Sequence, residues 1–231
     1  MKKTKDICFN DKKRKASLMF NINNLISTLK ENNRIFCSEK HLQTIFGYEV
    51  LKQYNDCICI PEYPLKYSDD ERTKHLDLLI KVDEKKIGIE FKYIVKKYNE
   101  EIDGVEYNLR NHSALDIRRY DCLKDISRLE ELLKVGTIED GYFLLITNDN
   151  NLWQNTSDKN VRDKEFRFYD KGKITAGTKT WLNNPASGTI KGRIKKITIH
   201  KEYNVNFKKY STLNPNNGSH IFKYLLIKIK Q

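Results

Sequence analysis

The period of the apolar positions changes several times along the chain, and each change marks an element. Leu18, Met19, Ile22, Leu25, Ile26 and Leu29 recur at helical spacing, which predicts a helix over 18–30. Ser38 is a good N-cap for a second helix, EKHLQTIFGYEVLKQY, whose Leu42, Ile45, Phe46 and Leu51 face inward. CICIPEY then reads as a strand stopped at Pro61, and KYSDDERT as a polar loop. HLDLLIKV and KIGIEFKYIV read as two strands joined by the polar turn Asp83–Lys86, an antiparallel hairpin. Residues 95–112 read as a long polar link beside the sheet, placed to approach a substrate.

The most regular helix follows. Leu115, Cys122, Ile126, Leu129 and Leu133 form one apolar stripe, with Ser113 as candidate N-cap and Gly136 as candidate stop. GYFLLITND is a nearly continuous apolar run, the signature of an interior strand. The last third holds EFRFYDKGKITAG, RIKKITIHKEYNVNF and HIFKYLLIKIK, strand-like segments with no linker before them. The expectation is a single α/β domain over 1–231: a mixed β-sheet flanked by helices, with additional C-terminal β-strands.

Composition narrows the partners. The 231 residues carry 43 Lys and Arg against 31 Asp and Glu, a formal charge of +12. Such an excess favours a polyanion through phosphate neutralisation and counterion release, although acidic membranes and plain solubility account for it too. No apolar run reaches the length of a membrane helix, and the basic start MKKTKDICFNDKKRK has no signal-type apolar segment behind it. No membrane partner and a cytoplasmic location are therefore expected. Five scattered cysteines make a poor disulfide framework, and Cys57 and Cys59 read as free thiols in a core strand rather than zinc ligands. No phosphate-binding glycine loop occurs.

The polar residues inside the hairpin carry the candidate chemistry. Strand alternation puts Glu90 and Lys92 on one face, and the short turn brings Asp77 toward Glu90. Two carboxylates, Asp77 and Glu90, with the main-chain carbonyl of Phe91 make a hard oxygen site of the kind Mg²⁺ uses. Lys92 beside them is expected to stay protonated and to stabilise negative charge as it develops. Arg72, Lys74 and His75 precede Asp77 and are candidate DNA contacts. Lys191, Arg193, Lys195 and Lys196 form the densest basic run after the N-terminus and are candidates for the same role. Trp153 and Trp181 read as packing residues first and as base-stacking groups second.

The segment RTKHLDLLIKVDEKKIGIEFKY resembles the core of the PD-(D/E)xK, or restriction-endonuclease-like, nuclease superfamily. Asp77, Glu90 and Lys92 match its signature, with Leu76 standing where the signature has proline. The resemblance covers roughly residues 38–148, leaving 149–231 as a β-rich extension for DNA recognition. It implies a restriction-endonuclease-like core and a Mg²⁺-dependent endodeoxyribonuclease of type II restriction type, with Mn²⁺ able to substitute. It implies catalytic roles for Asp77, Glu90 and Lys92, and for a glutamate on the helix before the first core strand, where both Glu39 and Glu49 lie and Glu39, near its start, resembles the pattern better. Double-stranded DNA as substrate and a homodimer follow from the same resemblance. A structure-specific or phage-defence nuclease, or an inactive nucleic-acid-binding protein of the same fold, is the alternative. On the long helix, Asp121, Asp125 and Arg128 share one side and read as a solvated or ion-paired face.

Overall fold

Residues 87–95 are apolar on both faces except at Glu90 and Lys92, and a strand of that kind belongs inside a sheet. In the computed structural model it does lie inside. The structure describes residues 19–65, 74–155, 161–183, 185, 187–213 and 220–231. The chain runs α1 (Ile22–Asn32), α2 (Glu39–Gln53), β1 (Ile58–Leu65), β2 (Lys74–Val82), β3 (Lys85–Ile94), β4 (Tyr98–Ile102) and β5 (Val105–Leu109). It continues through α3 (Leu115–Lys134), β6 (Asp140–Thr147), β7 (Lys173–Ile174), β8 (Gly177–Lys179), α4 (Ser187–Ile190), β9 (Ile197–Ile199), β10 (Tyr203–Asn204), β11 (Lys208–Thr212) and β12 (Ile221–Lys228). Among the described residues no helix is long and apolar enough to cross a membrane.

The central mixed sheet has the order β1-β2-β3-β6-β12-β11, and its one parallel pair is β3 with β6. The α3 crossover between those two strands supplies the connection a parallel pair requires. Helices α1 and α2 cover one face of the sheet through Leu25, Leu29, Leu42 and Phe46, which pack with Ile89 and Phe91. Helix α3 covers the other through Cys122, Ile126 and Leu129, which pack with Phe143 and Leu145. The result is an α/β fold with a mixed sheet flanked by three helices.

Five local expectations change. On α2, Leu51 is exposed rather than turned inward. The first strand does not stop at Pro61 but runs to Leu65, because β1 is an edge strand and a missing N–H costs least there. Cys57 and Cys59 sit on that edge half-buried, each thiol turned toward an α2 carbonyl, Val50 and Gly47. The link 95–112 is not irregular: it folds as the β4–β5 hairpin, closed by Asp103 and Gly104, both at positive φ (53° and 77°). Ser113 does not cap α3, whose N-cap is Ala114 in the left-handed region with no side-chain cap bond.

The C-terminal third splits in two. β11 and β12 extend the central sheet, whereas β7–β10 and β8–β9 pair in small sheets, and their Ile174, Ile197, Ile199 and Tyr203 join the α3-side core. Buried Glu130 of α3 fastens that layer, accepting from the N–H groups of His200 (2.8 Å) and Lys201 (3.0 Å) and from the Tyr203 hydroxyl (2.8 Å). Helix α3 is thus enclosed on two sides, and its buried face is wider than its apolar stripe.

Candidate functional site

The site forms where β2 leaves β3. Their ladder runs from Val82↔Lys85 to Leu78↔Ile89 and ends there. Beyond it, the N–H groups of Phe91 and Tyr93 still point toward the departed strand and need acceptors. The Asp77 carboxylate takes the first, accepting from Phe91 N at 2.8 Å. Glu39 takes the second, accepting from Tyr93 N at 2.8 Å. Glu39 gets there because Ser38 starts α2 beside the sheet, its hydroxyl accepting from His41 N at 3.1 Å. The two carboxylates thus hang from N–H groups two residues apart on one strand, about 7 Å along it.

Lys92 lies between them and reaches toward α3. Its ammonium pairs with the Asp125 carboxylate and donates to the Phe91 carbonyl at 3.0 Å. Glu90, fully buried, faces the same helix. Arg128 holds it with both arms, Nε on Oε1 at 2.7 Å and a terminal nitrogen 2.6 Å from Oε2, while that nitrogen also donates to Asp125 at 2.7 Å. Asp125 and Arg128 therefore belong to the site. The ion-paired reading of that face describes them correctly, but the partners are Lys92 and Glu90 across the layer.

The electrostatics follow from burial. Desolvation pushes the Glu39 and Asp77 carboxyls above the ordinary range against the pull of Lys92, and it pushes Glu90 further, with Asp125 adding repulsion. Lys92 is pulled down by burial, but Asp125, Glu39 and Asp77 together outweigh that and hold it protonated beyond the usual lysine range. Among these six side chains four acids face two bases, so burial works against ionising all four at once.

A cavity of about 630 Å³ opens here; Glu39, Asp77 and Lys92 line it, together with Asn108, Arg110, His112 and Arg118. Glu90 does not line it. The oxygen set expected from sequence is accordingly split: Asp77 faces the cavity, Glu90 is taken up by Arg128, and the Phe91 carbonyl accepts from Lys92. Among the described residues no three acidic, imidazole or thiol side chains converge on one point. What suits a divalent ion is the pair Asp77 and Glu39, two carboxylates lining the cavity that burial makes costly to ionise without a cation. Mg²⁺ is commonly held by one or two carboxylates with waters and substrate oxygens completing the shell.

The outlying candidates fall elsewhere. Lys74 and exposed His75 sit at the end of β2 against Leu65 and Pro64 of the edge strand and do not line the cavity; Arg72 lies outside the described residues. Arg193 is a bidentate partner of Asp121 (2.8 and 2.7 Å), on the side of α3 covered by the C-terminal layer. Lys191, Lys195 and Lys196 are exposed next to it and away from the cavity. Trp181 packs on Tyr120 and Phe166, and Trp153 near Phe207, as packing residues. Sequence reasoning missed Arg110, His112 and Arg118, because the hairpin that carries the chain to them was read as a link. Comparison with family models, with curated proteins and with solved structures found no match for this chain.

Proposed function

We propose that this protein is a metal-dependent phosphodiester hydrolase acting on DNA, with a core of the restriction-endonuclease-like kind. The observation that carries the reading is the meeting of Asp77, Glu39 and Lys92 in one cavity at the end of the β2–β3 ladder. Asp77 and Glu39 would hold Mg²⁺. When bound, the ion polarises a phosphodiester and acidifies a bound water. Lys92, kept protonated by three carboxylates, stabilises the charge that builds on the phosphorus oxygens. Asp125 fixes the ammonium, and Arg128 holds Glu90 in place behind the site, opposing the desolvation that favours its neutral form. Type II restriction is the leading biological role; discrete fragments from long DNA would support it, and cleavage confined to junctions or flaps would favour a structure-specific or defence nuclease. Two copies would supply two centres for duplex cleavage.

The clamping of Glu90 by Arg128 favours a second reading, an inactive nucleic-acid-binding protein on the same fold, in which the carboxylates are ion-paired and hold no metal. Titration calorimetry with Mn²⁺ on wild type and D77A, alongside cleavage of duplex, single-stranded and branched DNA in Mg²⁺, separates the two. A heat lost in D77A together with cleavage lost in D77A and K92A is expected. DNA bound but left intact, with no carboxylate-dependent heat, would overturn the hydrolase.

A further inference from the structure

Besides the carboxylates, two arginines without partners among the described residues line the cavity. Arg110 follows β5 directly and Arg118 stands in the first turn of α3; both line the cavity. Among the described residues neither guanidinium has a hydrogen-bond or ion-pair partner, and the Nε of Arg118 is buried without one. This differs from the other basic groups of the region: Lys40 is paired with Glu62 at 2.5 Å, Lys92 with Asp125 and Arg128 with Glu90. His112, between the two arginines in the chain, accepts from Val95 N at Nδ1 (3.4 Å). Burial first and Arg118 second depress its pKa against a hydrogen bond to the Tyr93 backbone, so the ring stands neutral next to the arginines, held by main-chain contacts.

Two guanidiniums that present only donors, one with a buried orphan N–H, define the missing ligand as an anion rich in acceptors. A metal ion does not satisfy them. Asp77 and Glu39 line the same cavity and would repel a phosphate held close to them, so the arginines are expected to take a phosphate set apart from the carboxylates, while a cation would draw a neighbouring one to them. A ligand that meets both groups carries negative oxygens along its length and binds a divalent ion at one of them. The net charge of +12 favours the same class. The cavity volume suits about one or two nucleotides of a single strand rather than a whole duplex.

We infer that Arg110 and Arg118, with His112 between them, form a phosphate-binding subsite that holds the backbone of a nucleic-acid strand next to the phosphodiester at Asp77. The inference rests on the hydrolase reading for the placement of the scissile bond, but its test does not depend on turnover. Binding of a short fluorescent single-stranded oligodeoxynucleotide to the full chain is measured in EDTA over a range of salt, for wild type, D77N and R110Q/R118Q. The double variant is expected to bind about tenfold weaker or worse, with the slope of log affinity against log salt reduced by about 0.7 for each arginine. D77N, with one repelling charge fewer, is expected to bind at least as tightly as wild type in EDTA, with the arginine-dependent slope still present. In Mg²⁺ the double variant raises KM more than it lowers kcat. Unchanged affinity and slope in R110Q/R118Q would overturn the subsite while leaving hydrolysis standing. An arginine-dependent slope in a wild type that cleaves nothing would keep the subsite and remove the hydrolase. If the double variant does not fold, R110Q alone, on an exposed side chain, gives the same readings at half the change in slope.

Discussion

At the scale of single residues, the buried Glu90–Arg128 pair is where the site is most exposed to damage. Glu90 has no access to water, so its charge depends on the two contacts from Arg128 and on nothing from solvent. Removing one partner of a buried ion pair costs about 3–5 kcal/mol, chiefly because the other charge is stranded, whereas replacing both by apolar groups is often neutral. R128M is therefore expected to lower stability by that amount in urea denaturation, and E90L/R128M to recover most of it. Equal instability of the single and double variants would show that the guanidinium matters for packing rather than for charge. The alternation of β3 made Glu90 and Lys92 legible as neighbours on one face. It gave no sign that an arginine 38 residues downstream would claim the glutamate, since periodicity assigns a face and not what lies opposite.

At the scale of elements, the placement of Glu39 depends on where α2 begins. Ser38 accepts from His41 N, and Glu39 is the first residue of the helix, so loss of the cap frays the turn that delivers the carboxylate to Tyr93 N. S38A is expected to cost about 1 kcal/mol, a fall of roughly 2–4 °C in the melting temperature for a chain of this size, measured by calorimetry. Cleavage should fall by more than that loss of folded protein explains. Wild-type turnover in S38A would separate the cap from the site. Ser38 was readable because a cap is a local signal, and so were α3, the β2–β3 hairpin and β6, whose apolar periods are long and unbroken. The β4–β5 hairpin was less so: its strands are mostly polar, though Asp103-Gly104 is a turn signal that invites one. Nothing local places β12 against β6, because that pairing joins segments some eighty residues apart through the irregular C-terminal layer. The extension that covers α3 likewise hid the depth at which Asp125 and Arg128 lie.

At the scale of the whole molecule, the excess of acidic groups at the site opposes the net positive charge of the chain, and folding concentrates them in a recess. Glu39, Asp77 and Glu90 all have carboxyls raised by desolvation, so the folded metal-free protein takes up protons more readily than the unfolded chain. The sign is then set: their burden on stability is absent below the ordinary carboxylate range near pH 4 and grows as pH rises through their raised values. A divalent cation between Asp77 and Glu39 removes that burden only where the carboxylates are ionised. Mg²⁺ is therefore expected to stabilise the protein more at about pH 8 than at about pH 5; at pH 8 a hundredfold excess over its dissociation constant adds about 2.7 kcal/mol in all. D77N, which keeps an oxygen for Phe91 N–H but loses the charge, should melt higher than wild type without metal and respond weakly to Mg²⁺. The comparison needs only melting curves with EDTA or Mg²⁺ at the two pH values. A Mg²⁺ shift that is the same in D77N, or larger in acid, would place the ion elsewhere on the surface and leave the recessed carboxylates to a purely structural role.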